Sequence, residues 1–215
     1  SDPFDDEQQQ LRTRVSTIEL QKGTGWSRNK SGVKMAFGAP LTAQRFTYPT
    51  DIAFDKAGNM FVSDGYVNAR VIKYDKSGRF VKQAGTRGSG PGQLTLPHAI
   101  AVGPNGDVYV GSRSDQRIVV FDNDLNYKTV FDQYGAPWSL CIGPANNPYL
   151  WTSNSNPDSQ NTPLHEVSGQ IFKLTLDGKP VGKFGVPGKD QGQFSTVHGI
   201  DCSVENEILT TEITQ

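Results

Sequence analysis

Missing from this chain of 215 residues is any apolar run long enough to cross a membrane, which takes about 20 residues. No membrane partner is expected. An excess of charge of either sign is also missing: 21 Lys and Arg stand against 22 Asp and Glu, for a formal net charge of -1. With no basic stripe there is no groove for nucleic acid and no reason to expect a polyanionic partner. Sustained helical periodicity is absent too, which leaves an all-β chain. The hydrophobic fraction is only 35%. That suits thin sheets stacked face to face better than one large central core.

What is present is a repeat. Pro49-Thr50-Asp51-Ile52-Ala53-Phe54 aligns with Pro97-His98-Ala99-Ile100-Ala101-Val102. Met60-Phe61-Val62-Ser63 then matches Val108-Tyr109-Val110-Gly111, and Arg70-Val71-Ile72-Lys73-Tyr74 matches Arg117-Ile118-Val119-Val120-Phe121. A third copy runs from Pro137-Trp138-Ser139-Leu140 to Lys183-Phe184, and a fourth opens at Val197-His198-Gly199-Ile200. Each copy holds short runs rich in Val, Ile, Phe and Tyr. Turn signals such as Ala57-Gly58-Asn59, Asn105-Gly106-Asp107 and Asp177-Gly178 separate them. The 23 Gly and 13 Pro concentrate at these turns. Four short antiparallel strands in a unit of roughly 40–50 residues make a β-propeller blade.

The expected fold is therefore an all-β propeller of four-stranded antiparallel blades. Full blades fall at residues 47–85, 94–132 and 136–184, the outer half of a blade at 1–35 and the inner half of another at 196–215. Two arrangements account for the halves: they close into one blade of a four-bladed ring, or the chain is a portion of a six-bladed ring. Cys141 and Cys202 both fall in first strands but one step out of phase, so they are expected to face differently, as free buried thiols. On that reading the redox compartment stays open.

In a propeller the first strand of each blade lines the central channel, and the loop into it opens on the same face as the loop between strands two and three. His98 and His198 sit where first strands begin, and Tyr66 and Arg113 sit in second-to-third loops. All four can meet at one mouth of the channel. Two neutral imidazoles suit zinc or a similar divalent ion. A tyrosine beside such an ion can serve as a base, and an arginine there can pair bidentately with a substrate carboxylate. Trp138 holds the slot equivalent to His98 in the third full blade, as either an apolar wall of the mouth or plain filling. Arg70 and Arg117 recur just before third strands and read as structural. His165 lies in the Ser/Asn/Pro-rich insertion from Asn154 to Ser168, a surface loop at the rim rather than a source of ligands.

The strings Tyr48-Pro49-Thr50-Asp51-Ile52-Ala53, Ser63-Asp64-Gly65-Tyr66-Val67-Asn68-Ala69-Arg70, Gly90-Pro91-Gly92-Gln93 and Pro97-His98-Ala99-Ile100 resemble NHL repeats. More narrowly, they resemble the six-bladed propeller of peptidyl-α-hydroxyglycine α-amidating lyases and their bacterial relatives. The resemblance implies that His98 and His198 are zinc ligands, Tyr66 the base, and Arg113 a substrate-binding or catalytic arginine. The reaction implied cleaves a carbinolamide C–N bond and releases an amide and glyoxylate. A small-molecule or peptide substrate and a secreted or periplasmic location follow from the same resemblance. The family has three zinc histidines. The third, two blades before His98, would fall just upstream of Ser1, so no third ligand is identified in this chain. Gly199 stands where the family carries an Asp after its last zinc histidine, which counts against the family's structural calcium. The alternative is a non-catalytic NHL propeller that binds a peptide, protein or glycan on its loop face.

Overall fold

A computed structural model describes residues 26–28, 34–36, 46–155, 168–205 and 207–213. Among these every regular element is a strand. Three antiparallel four-stranded sheets follow one another along the chain. The first holds β3 (Pro49–Phe54), β4 (Met60–Asp64), β5 (Arg70–Tyr74) and β6 (Phe80–Ala84). The second holds β7 (Pro97–Val102), β8 (Val108–Ser112), β9 (Arg117–Phe121) and β10 (Tyr127–Phe131). The third holds β11 (Pro137–Ile142), β12 (Leu150–Asn154), β13 (Gln170–Leu174) and β14 (Pro180–Phe184). A two-stranded antiparallel sheet, β17 (Val197–Asp201) with β18 (Leu209–Glu212), comes after them, inside the segment read as an inner half blade. Of the outer half blade expected at 1–35, the described part is strand backbone: β1 (Trp26–Arg28) pairs antiparallel with β2 (Lys34–Ala36). The rest of it lies outside the described residues. Two short strands, β15 (Val186–Pro187) and β16 (Gln193–Phe194), pair in parallel between the third sheet and β17.

The hairpins explain why these runs fold as they do. In four of them the backbone N–H of the residue just past one strand donates to the carbonyl four residues on, across a three-residue loop that ends in glycine. The pairs are Asp55 with Asn59, Asp75 with Arg79, Gly103 with Asp107 and Thr175 with Lys179. The loop glycines Gly58, Gly78, Gly106 and Gly178 have φ between 80° and 86°. A side chain at that φ is strained, and the turn matches the right-handed twist of the strands it joins.

Burial is greatest in the middle strands of the first two sheets and least at the outer edge. Strands β4, β5, β8 and β9 are buried at every position, whereas β14 is exposed at every position. The sheets stack with the front of one against the back of the next. Ile100, the fourth residue of β7, packs with Phe61 and Val71 of the preceding sheet. Ala99 and Ala101, the third and fifth, pack with Leu140, Leu150 and Leu174 of the following one. Each large side chain so buried contributes about 1.5–3 kcal/mol. Polar groups follow the same rule: the third residue of a first strand accepts a hydrogen bond from the fourth residue of the next. Asp51 Oδ2 accepts from Ile100 N at 2.9 Å, and Ser139 Oγ from Ile200 N at 2.9 Å.

Arg70 and Arg117 are buried braces. Arg70 pairs with Asp64, whose carboxylate also accepts from Asn68 and from the backbone of Thr47. Arg117 pairs with Asp115 and donates to the carbonyls of Gly88, Ser89 and Gln93, which fastens the loop ahead of β7.

The reading of Cys141 and Cys202 as free thiols is corrected: the two form a disulfide across 61 residues of sequence. Their difference in phase is the reason they meet. Cys141 is the fifth residue of β11 and faces forward, while Cys202 is one step past β17 in the backward-facing phase. Between sheets stacked front to back, residues of opposite phase confront one another. Closing a loop of that length stabilises by about 4 kcal/mol on a chain-entropy account. Replacing both residues by serine is expected to lower the unfolding free energy by about 2–4 kcal/mol. Urea denaturation of the two forms checks this, and identical midpoints would contradict it.

Candidate functional site

Each first strand begins with an irregularity. The pairing shifts between Pro49 and Asp51, between Pro97 and Ala99, between Pro137 and Leu140, and between Val197 and Gly199. The second residue of each strand is thereby released from the ladder: Thr50, His98, Trp138 and His198. A bulge bends the strand and re-aims the side chain of the unpaired residue. Here it turns these four side chains towards the ends of the sheets rather than into the cores.

Three of the four converge. The ring centroids of His98 and His198 lie 5.0 Å apart, and the Trp138 centroid lies 5.0 Å from His98 and 5.6 Å from His198. Thr50 instead donates to the Pro97 carbonyl at 2.8 Å and seals the seam between the first two sheets. Tyr66 comes from the β4–β5 loop. Its ring centroid is 6.0 Å from His98, and its hydroxyl is 3.4 Å from His98 Nε2. Arg113 comes from the β8–β9 loop, where its backbone N–H donates to Leu96 O at 3.1 Å. Its guanidinium carbon stands 3.9 Å from the Trp138 ring centroid and 5.9 Å from that of Tyr66. The structure thus brings together His98, His198, Tyr66 and Arg113. His165 lies outside the described residues.

The electrostatics are those of a cationic, partly dry site. His98 is buried and its pKa is pushed from 6.5 down to about 4, first by desolvation and then by the Arg113 and His198 charges, against the raising effect of the Trp138 carbonyl. His198 is more exposed, and its pKa is lowered by desolvation and by Arg113. Both imidazoles are neutral at pH 7. His98 Nδ1 donates to the Trp138 carbonyl at 2.8 Å. That bond leaves the lone pair on Nε2, the nitrogen that faces Tyr66. A ring N–H held by a backbone carbonyl is the usual support of a metal-binding histidine, so His98 fits a divalent ion through Nε2. Among the described residues no group of three or more His, Cys, Asp or Glu side chains could hold a metal. His98 and His198 are the two side chains at this spot whose chemistry suits a divalent ion.

Several contributors escaped the reading of the sequence. The Trp138 carbonyl is a backbone group and leaves no mark in a residue pattern. Tyr48, in the left-handed region at φ 62°, sets its ring 6.5 Å from that of Tyr66. Asp51 is half-buried between the first two sheets, and desolvation raises its pKa to about 6. The repeat itself had pointed to Trp138 by its slot.

A family model described as a 6-bladed beta-propeller, DUF5128, matches residues 45–176. The chain belongs to that family of propellers. Over 196 residues it is 40% identical to peptidyl-alpha-hydroxyglycine alpha-amidating lyase 1 of Drosophila melanogaster, covering 81% of this chain and 35% of that protein. Over 107 residues it is 36% identical to the peptidyl-glycine alpha-amidating monooxygenase of Mus musculus, covering 45% of this chain and 11% of that protein. Over another 107 it is 30% identical to NHL repeat-containing protein 3 of Homo sapiens, covering 49% and 29%. The chain thus spans between 11% and 35% of the length of these relatives. Among solved structures, a streptogramin B lyase superposes with a TM-score of 0.56 at 16% identity, covering 87% of this chain and 54% of that one. The U3-55K protein superposes at 0.54 with 14% identity, covering 75% and 45%. These two likenesses show the propeller fold.

Two outcomes follow from the geometry. A Cβ at Gly65 would overlap the Pro97 carbonyl oxygen of the next sheet. Gly65→Ala should therefore cost about 1–3 kcal/mol of stability and displace Tyr66; thermal denaturation checks it, and an unchanged midpoint would contradict the close approach. For His98, the unfolded imidazole takes up its proton near 6.5 and the folded one near 4. Charging it favours unfolding, so in metal-free protein its contribution is present above pH 6.5 and is lost as pH falls towards 4, by roughly 3 kcal/mol in all. Asp51, with its raised pKa, works in the opposite sense over the same range. The measurement is therefore a comparison: between pH 7 and pH 4 the wild type should lose more stability than His98→Gln. Equal losses would contradict the depressed pKa.

Proposed function

We propose that this propeller carries the site of a zinc-dependent lyase of the amidating kind, acting on a small or peptide-borne carbinolamide with a carboxylate. The observation that carries the reading is the convergence of His98, His198, Tyr66 and Arg113, from two successive blades and the half blade's first strand, on one spot. Supporting it are the amidating lyases among the relatives.

His98 through Nε2 and His198 would hold the ion. Bound there, zinc supplies a Lewis acid that polarises the carbinol oxygen. Arg113 orients the substrate by pairing with its carboxylate. Tyr66 takes the proton of the carbinol hydroxyl. As that proton passes to Tyr66, the carbon–oxygen bond becomes a carbonyl and the C–N bond breaks; Tyr66 then returns the proton to the leaving nitrogen, giving an amide and glyoxylate. The buried face of His98 against Trp138 keeps water from one side of the site. The Cys141–Cys202 disulfide suits an oxidising compartment and supports a secreted or periplasmic location.

Metal analysis tests the reading. The purified chain is expected to retain zinc, and His98→Ala and His198→Ala are each expected to weaken zinc binding at least tenfold, read by competition with a chromophoric chelator. Zinc binding unaffected by either change would overturn the assignment. Absence of zinc binding by the wild type, together with capture of a peptide or glycan, would instead establish a non-catalytic loop-face binder.

A further inference from the structure

We infer that Trp138 is the positioning residue of the site, holding Arg113 so that the edge of its guanidinium, and not its face, is offered to a substrate carboxylate. The inference rests on the lyase reading and adds to it the element that fixes substrate orientation.

The indole meets both imidazoles and the arginine. Its centroid lies 5.0 Å from His98, 5.6 Å from His198 and 3.9 Å from the Arg113 guanidinium carbon. At 3.9 Å the cation is in van der Waals contact with the ring face. The Tyr66 ring stands 5.9 Å from the same carbon. A guanidinium over an aromatic ring uses its face for the cation–π contact and leaves its N–H groups along the edge. Among the described residues no carboxylate, carbonyl or hydroxyl accepts a hydrogen bond from the Arg113 side chain. Elsewhere in the same molecule the buried arginines behave differently: Arg70 and Arg117 are fully engaged with carboxylates and carbonyls. Arg113 alone of the three is held by stacking, and its donors remain for a ligand with the shape of a carboxylate.

Trp138 also acts through its backbone. The carbonyl that accepts from His98 Nδ1 belongs to the residue whose ring stacks on Arg113. One residue therefore couples the orientation of the imidazole to that of the carboxylate-binding cation. The two functions separate cleanly by substitution, because a side-chain change removes the stacking face and leaves the carbonyl in place.

The experiment measures binding of glyoxylate to the zinc-loaded chain by calorimetry, with zinc content read separately. Arg113→Gln serves as the control for the carboxylate site, and acetamide as the uncharged control ligand. Trp138→Ala is expected to weaken glyoxylate roughly three- to thirtyfold, the range of a cation–π contact, with zinc content unchanged. Trp138→Phe is expected to restore binding to within a few-fold of the wild type. If Trp138→Ala does not fold, Trp138→Leu keeps the apolar bulk and removes the π face, with the same loss expected. Wild-type affinity in Trp138→Ala or Trp138→Leu, with Arg113→Gln still impaired, would overturn the inference and leave the lyase reading standing. Failure of the wild type itself to bind glyoxylate would sink both.

Discussion

Everything in this molecule depends on sheets that rest front to back. Because a strand presents alternate residues to its two faces, a first strand between two neighbours must satisfy both. In β7 the division is visible residue by residue: Ile100 completes the core of the sheet before it, and Ala99 and Ala101 that of the sheet after it. The small residues let the next sheet approach, and the large one fills the space behind. Backbone donors left at the seams are taken by Asp51 and Ser139, whose side chains reach across to the following strand. Each sheet is thin, and the clusters on either side of β7 are each shared by two sheets. The unit of stability is the interface.

The same stacking makes a site out of residues far apart in sequence. The bulge at the start of every first strand puts its second residue at the end of the sheet, and stacking brings those ends together. What each blade then contributes is a matter of one residue. Thr50 closes a seam, His98 and His198 supply nitrogen donors, and Trp138 supplies a ring and a carbonyl. Loops from the preceding blades bring Tyr66 and Arg113 over the same spot. The chemistry lies in the departures from the repeat, while the repeat supplies the placement.

Much of this could be read from residues. The recurrence of Pro-x at first strands, and of glycine after Asp or Asn in the turns, identifies the blades, and the equivalence of His98 and His198 in that frame anticipates two rings now found 5.0 Å apart. Strand alternation was misleading at Cys141 and Cys202. It states which face a side chain occupies within its own sheet, and says nothing of the face it meets in the next one. The support of His98 by a carbonyl was illegible, since every residue has a carbonyl. The desolvation of Asp51 depends on how closely two sheets approach, which no local pattern encodes. The readings placed on most of residues 1–35 and on His165 lie outside the described residues.

The disulfide has a mechanical consequence. Cys141 stands three residues beyond Trp138, and Cys202 four beyond His198, so the covalent tie sits towards the opposite end of the two strands from the rings. At about 3.3 Å per residue that is a lever of roughly 10 Å. Two strands tied covalently at one end are restrained from sliding past each other along their length. The tie therefore limits how far the indole and the His198 imidazole can separate, together with the hydrogen bonds of Val197 to Ser155 and of Ile200 to Ser139 that hold the same two sheets nearer the rings.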